Sequence, residues 1–297
     1  MTAKSHVVLE NRGLLEVSGE DRTTFLQGLV SNDVTKAGPG RALYSAFLTP
    51  QGKYLHDFFI AERDGAFLLD CEGGERLASF HKRLTLYKLR SKAAIADRSA
   101  DLAVIAVFGD GAAAALGLPE AEAGASIPFA GGVAFVDPRL AAAGARVLAP
   151  RAEALAALSG LGIAEAAPAD YDVHRIGLGL PDGSRDLHVE RSILLENGFE
   201  ELNGVSFDKG CYMGQELTAR TKHRALIRKR LMPVTIEGPT PEPGTAITLD
   251  GEDAGEMHSA SGSVGLAMIR LESLEKGRAL TCGEARLTPR KPDWANF

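Results

Sequence analysis

Cysteine is scarce in this chain. Its 297 residues hold three, Cys71, Cys211 and Cys282, far apart and without a CxxC pair, which excludes a zinc knuckle and a disulfide framework and leaves no complete protein-ligated iron–sulfur site. The odd count suits a reducing compartment. Long apolar runs are missing as well: the most apolar strand-like run, Leu102–Phe108, is far too short to span a bilayer, and no apolar segment follows Met1 to His6. A soluble, cytoplasmic protein without membrane contact is therefore expected. Excess positive charge is also lacking. With 33 Lys and Arg against 39 Asp and Glu, the net charge of −6 excludes a surface that coats nucleic acid throughout and confines any polyanion contact to a local patch.

What is present is a globular composition, 45% hydrophobic and 24% charged, at a length that buries roughly three quarters of the unfolded surface. The first half alternates strand and helix patterns. Val7–Leu9 and Leu14–Val17 read as strands, and Ser18 with Asp21 reads as the cap of a helix carrying Phe25, Leu26 and Leu29. Ala42–Leu48, Tyr54–Ala61 and Ala66–Cys71 form a meander through a Thr49-Pro50-Gln51-Gly52 turn and an Arg63-Asp64-Gly65 turn. A helix with Leu77, Phe80 and Leu84 on one face then precedes a strand at Ala93–Ala96. Hairpins with helices on one side predict α+β rather than repeated βαβ units. The plan restarts after Asp97-Arg98-Ser99, with strands at Leu102–Phe108, Val133–Val136 and Arg146–Leu148 and helices at Ala112–Leu116 and Ala152–Leu158. Beyond Lys229, Leu231–Ile236, Ala246–Leu249, Gly265–Ile269 and Ala279–Thr281 are short strands among Gly/Pro turns, with Pro239–Pro243 as the entry turn of a small β-barrel. Three units result: residues 1–98, 99–230 and 231–297.

One segment carries chemistry, Asn203 to Arg220. Gly210 and Gly214 bracket Cys211, so the backbone can adopt positive φ there and present the thiol. Lys209, two positions earlier, favours a thiolate if its ammonium turns toward the sulfur. The alternative is a small buried hydrophobe in a tight turn, the usual fate of a free cysteine. Cys71 and Cys282, inside strand-like runs, read as packing residues. In a helix ending near Gly177, Arg175 reads as structural, and His174 as hydrogen-bonded or exposed.

The run Lys209-Gly210-Cys211-Tyr212-Met213-Gly214-Gln215-Glu216 resembles the K-G-C-[FY]-x-G-Q-E signature of the YgfZ family, folate-binding proteins of iron–sulfur cluster maturation and tRNA modification. Leu217-Thr218-Ala219-Arg220-Thr221 and Ile227-Arg228-Lys229-Arg230-Leu231 are especially similar to the mitochondrial iron–sulfur assembly branch. Phe25-Leu26-Gln27-Gly28-Leu29, Asn32-Asp33-Val34 and Gly52 to Asp57 resemble the related glycine-cleavage T-protein, an aminomethyltransferase, so the resemblance covers essentially the whole chain. It implies two ferredoxin-like α+β units around a central folate cleft and a C-terminal barrel. It further implies tetrahydrofolate or a one-carbon derivative as cofactor; the three dispersed cysteines predict no stable metal. Asp57 matches the carboxylate beside the folate nitrogens, where an acid holds a proton or stabilises an iminium-like cation; alternation alone would let it face solvent. Glu196 is the pterin candidate. Gly210, Tyr212, Gly214, Gln215, Glu216 and Arg220 complete the implied folate-binding set. The T-protein's Y-T-G-E segment has no counterpart in Pro138–Leu148, which lacks both tyrosine and acid, so the transferase site is not intact.

A basic stretch, Arg220, Lys222, Arg224, Arg228, Lys229 and Arg230 with His223, stands out in an acidic chain. It suits a polyglutamate tail, an RNA backbone or an acidic partner, or it is a charged strand edge kept soluble. No interleaved aromatics support base stacking. Three readings follow. The first is a tetrahydrofolate-binding factor that assists maturation of 4Fe–4S proteins, and thereby tRNA modification, with Cys211 as working thiol and the assembly machinery or client proteins as partners. The second is a folate-dependent one-carbon transferase using Asp57, and the third a basic-patch module binding RNA or protein. Whether a reaction is turned over is left open.

Overall fold

The computed structural model describes residues 3–224, 227–274 and 278–297. Met1, Thr2 and Leu226, which entered the readings of the N-terminus and of the basic stretch, lie outside them. The first sheet is built from β2 (Arg12–Ser18), β3 (Leu43–Leu48), β4 (Tyr54–Arg63), β5 (Ala66–Glu72) and β6 (Ala94–Asp97), in the order β3-β4-β5-β2-β6 with every pair antiparallel. The first strand, β1 (Ser5–Val8), joins another sheet. Both edges of β2 are taken by β5 and β6, so β1 pairs antiparallel with β7 (Ala103–Phe108), Ser5 opposite Phe108. That second sheet continues through β8 (Ser126–Phe129), β9 (Gly132–Val136), β10 (Ala145–Ala149) and β11 (Ala164–Glu165), in the order β11-β1-β7-β10-β9-β8.

Helices close the outer faces. α1 (Arg22–Gln27) and α2 (Gly74–Lys88) cover the first sheet, α2 through Leu77, Phe80 and Leu84; α3 (Ala112–Ala115) and α4 (Arg151–Gly160) cover the second. The capping expected of Ser18 and Asp21 is not made. The Asp21 carboxylate accepts instead from the Lys92 backbone N–H at 2.7 Å, tying α1 to the loop before β6. A linker holding α5 (Pro168–Gly177) and α6 (Gln215–His223) leads to the last unit.

The inner faces of the two sheets meet directly. Leu14, Tyr44, Phe59 and Leu68 of the first interleave with Val104, Val133, Phe135 and Leu148 of the second, joined by Phe199 and Tyr212 from the linker. This layer holds aromatic rings and a chain of buried charges. Arg12 Nε donates to Asp70 Oδ1 at 2.7 Å, Arg146 Nη1 crosses from the second sheet to Asp70 Oδ2 at 2.8 Å, and Arg139 Nη2 donates to Asp137 Oδ2 at 2.8 Å. Arg146 also lies over the Phe59 ring, 4.0 Å from its centroid.

The C-terminal unit is a closed six-stranded barrel, β12 (Lys229–Glu237), β13 (Ala246–Leu249), β14 (Glu252–Ser261), β15 (Val264–Arg270), β16 (Leu280–Cys282) and β17 (Ala285–Pro289), ordered β12-β15-β14-β13-β16-β17, with α7 (Leu271–Leu274) after β15. The sequence pattern shows only four of these strands, because β14 is broken by charge, by Gly255 and by an irregularity between Met257 and Ala260. The turn at Pro239–Pro243 connects β12 to β13 and is not the barrel's entry. Arg175 is structural as expected: from α5 it donates to Asp172, to Asp186 and to Ser259 of β14, clamping linker to barrel.

Two stability tests follow from this arrangement. Asp70→Ala leaves Arg12 and Arg146 facing an apolar layer without their shared acceptor, so it should cost about 3–5 kcal/mol in urea unfolding. Removing the exposed pair of Lys92 and Glu20 by Glu20→Ala should change stability by less than about 1 kcal/mol; equal losses would show that the inter-sheet charges carry no special weight. His56, stacked on Phe80 at 4.8 Å and buried, has its imidazole pKa lowered by burial and by Arg76 and Arg83 to about 3. The unfolded chain therefore takes up more protons, so stability should fall as pH drops from 6.5 toward 3. His56→Phe should remove that part of the slope, about 2 kcal/mol between pH 6.5 and 5 at roughly 1.4 kcal/mol per pKa unit. Parallel acid profiles for wild type and variant would refute the assignment.

Candidate functional site

The Lys209–Gly214 loop docks on the β3–β4 hairpin. Gly52 and Gly214 are packed backbone against backbone, both at positive φ; a Cβ on Gly214 would meet the Thr49 carbonyl at 2.4 Å, and one on Gly52 would meet the Gly214 carbonyl at 2.6 Å. These contacts require glycine at both positions. Met213 N–H donates to the Gly28 carbonyl at 3.1 Å, and the Gln215 side chain accepts from the Tyr212 N–H at 3.0 Å. The Tyr212 ring is buried in the inter-sheet layer. Lys209 does not turn its ammonium to the sulfur. Nζ donates to the Val30 and Asn32 carbonyls, each at 2.6 Å, lies 5.1 Å from the Tyr212 ring centroid, and has its pKa lowered by burial to about 8. The lysine thus fastens the loop to the segment after α1, because those two carbonyls compete successfully for its protons.

On this fastened loop Cys211 is exposed, while Cys71 and Cys282 are buried and burial pushes both of their thiols up. Gly210, beside Cys211, takes positive φ with open space where a side chain would go. Glu216 and Arg220 pair with each other one turn apart on the exposed face of α6. The sequence missed α6, reading a loop and a strand edge there, because Thr218, Thr221 and the cations give it no apolar stripe.

Asp57 lies elsewhere. On β4 it is 3% exposed and faces the inter-sheet layer, where Tyr44 Oη donates to Oδ2 at 2.9 Å and Tyr54 Oη to Oδ1 at 2.8 Å. Burial raises its pKa, while Arg12 and the two phenols pull it down. Tyr44 stacks on Phe199 at 5.0 Å and leans on Phe59 at 5.1 Å, with the Arg139 guanidinium over both Tyr44 and Phe59. Each Asp57 oxygen thus accepts one phenol hydrogen bond, and the carboxylate is buried among the aromatic rings of the inter-sheet layer. Arg139 and Arg146 lie in the segment where a recognition glutamate would stand. Glu196 opens instead onto a cavity of about 240 Å³ at the linker–barrel junction, which Asp57 does not line; there Lys229 Nζ lies 3.7 Å from its Oε2 and burial raises its pKa.

The basic stretch is largely paired within the chain. Lys222 bonds Glu200, Arg230 lies 2.9 Å from Glu201 in a buried pair, Lys229 faces Glu196 and Arg220 holds Glu216. Glu196, Glu200 and Glu201 are thus the partners of cations that follow them in the chain.

Comparison with known proteins agrees with this architecture. A family model of the CAF17 C-terminal β-barrel domain matches residues 228–297, and one of the GCVT N-terminal domain matches residues 9–130. The chain is similar to the mitochondrial iron–sulfur cluster assembly factors IBA57 of Mus musculus and Homo sapiens, 35% and 36% identical, with 96% of this chain and 84% of each relative covered. Aminomethyltransferase T of the glycine cleavage system from Bartonella henselae has the same fold, with a TM-score of 0.80 over 99% of this chain and 87% of that one at 16% identity. The cytoplasmic expectation is overturned, since these relatives are mitochondrial by name. A missing apolar h-region speaks only to secretory signals, and mitochondrial transit segments are amphipathic.

Thiol labelling of the folded protein with iodoacetamide at pH 7, resolved by mass spectrometry, should modify Cys211 at least about a hundredfold faster than Cys71 or Cys282, because buried thiols react only through opening. Comparable rates at all three would remove Cys211 from the surface.

Proposed function

The chain belongs to the family of the mitochondrial iron–sulfur cluster assembly factor IBA57, and from that premise we propose that it assists maturation of 4Fe–4S proteins with Cys211 as its working thiol. The observation that carries this reading is the exposure of Cys211 on a loop fastened at Lys209, Met213 and Gly214, while the other two cysteines are sealed in cores. A thiolate is a soft donor suited to iron. As a ligand of a cluster iron the thiol gives its proton to solvent, and its S–Fe bond replaces the bond from that iron to a ligand of the delivering protein; on release a client ligand takes the position and the thiolate regains a proton. Cluster irons are held by several protein ligands, and this loop offers one, so the remaining ligands come from the assembly machinery or the client.

The one-carbon transferase reading loses its basis at Asp57, whose oxygens are held by Tyr44 and Tyr54 behind buried Arg139. Folate is given no step for the same reason. In cells lacking the protein, Cys211→Ser should fold, reach wild-type abundance and fail to restore 4Fe–4S enzyme activity, whereas Asp57→Asn should restore it. Full rescue by Cys211→Ser would end the thiol reading. Tight tetrahydrofolate binding by calorimetry, lost in Asp57→Ala, would reinstate a folate site.

A further inference from the structure

The sequence expectation of no stable metal rested on cysteine spacing, and the linker–barrel junction holds a set of donors that cysteine counting does not reach. His188, Glu256 and His258 each offer one ligand atom, all within 4.8 Å of one another, and they are the one such group among the described residues. His188 Nε2 already stands 3.0 Å from Glu256 Oε1, and the two imidazoles meet edge to face at 4.9 Å. Glu256 and His258 are two apart on β14 and share its outward face, while Met257 between them fills the barrel core. The irregularity after Met257 turns Ser259 outward as well. Ser259 N–H and Oγ then hold Asp186 Oδ1, at 3.0 and 2.5 Å.

This second layer matters for metal binding. A ligating histidine is oriented by the hydrogen bond from its other ring nitrogen, which fixes the tautomer and leaves the free nitrogen toward the ion. Around this group it is the backbone that is held: Ser259, next to His258, bonds Asp186 through its N–H and hydroxyl. Asp186, locked by Arg175 at 2.7 Å and by Ser259, sits two residues before His188. We propose that His188, Glu256 and His258 form a site for a divalent first-row transition ion, zinc or ferrous iron, at the linker–barrel junction. Two imidazoles and one carboxylate suit such ions and leave coordination positions open. The adjoining cavity of about 240 Å³ gives those positions room. Half-exposed His188 and Glu256 need only small rotations to close on an ion at about 2 Å. The site is independent of the Cys211 reading and uses none of its residues.

Cobalt titration of the full-length Cys211→Ser protein, followed by its visible absorption, tests the site apart from any thiolate ligation. One equivalent should bind saturably and be displaced by Zn²⁺ and, anaerobically, by Fe²⁺. His188→Gln and Glu256→Gln, both at half-exposed positions, should each weaken binding at least about tenfold with an unchanged unfolding transition. Absence of saturable uptake would overturn the proposal, as would binding that both glutamine variants leave intact.

Discussion

The Arg146–Asp70 bond is the constraint on which the architecture depends. It is a charged link between two sheets whose facing surfaces are largely apolar, and it extends on one side to Arg12 and toward Asp137 and Arg139 on the other. Apolar faces alone would let the sheets slide, since burial of area has no preferred register. A chain of fork-shaped donors and carboxylates in low dielectric is satisfied in one arrangement only, and any displacement strands a charge. Arg139 carries the constraint outward by donating to the Pro181 carbonyl at 2.9 Å, where the linker begins its return across the molecule. From there Arg175, Asp186 and Ser259 pass it to the barrel.

The same chain of charges explains how a fold shared with an aminomethyltransferase comes to present a thiol. Between the sheets, where the resemblance puts a folate cleft, the guanidinium groups of Arg139 and Arg146 lie over the rings of Tyr44 and Phe59. Asp57 keeps its place on β4 but serves Tyr44 and Tyr54 as a hydrogen-bond acceptor. With the centre sealed, the chemically available group lies on the outside, at the loop that packs Gly214 on Gly52. A shared fold does not by itself fix which groups it presents.

Strands whose apolar residues alternate between turn signals, such as β3, β4, β5 and β13, were legible in the sequence almost to the residue, and so was the barrel as a unit. The signature loop was legible because glycines bracket its cysteine. Partnerships were not. Nothing local shows that Val7 pairs across to residues after 100, that Lys209 seeks the Val30 and Asn32 carbonyls, or that Glu200 and Glu201 neutralise Lys222 and Arg230, since each depends on a contact distant in the chain. β14 escaped notice for a related reason. Its irregularity breaks the period of two on which strand reading relies, and with the strand unseen the common face of Glu256 and His258 was invisible.

An assembly factor must hold its cargo and then give it up, and ligand count sets which of these it does. Several cysteines from one chain bind a cluster with high effective concentration, because each bond formed brings the next ligand into range. One cysteine has no such reinforcement, so its hold lasts only while a partner supplies the other ligands. Mobility of the loop would weaken even that single bond, since ordering the backbone would oppose ligation. The Gly52–Gly214 contact and the three anchors at Lys209, Met213 and Gln215 remove that cost before the cargo arrives. On the proposed reading, rigid backbone under a lone exposed thiol is therefore the combination that would let a weak ligand act quickly and release completely, with the two buried cysteines keeping the count at one.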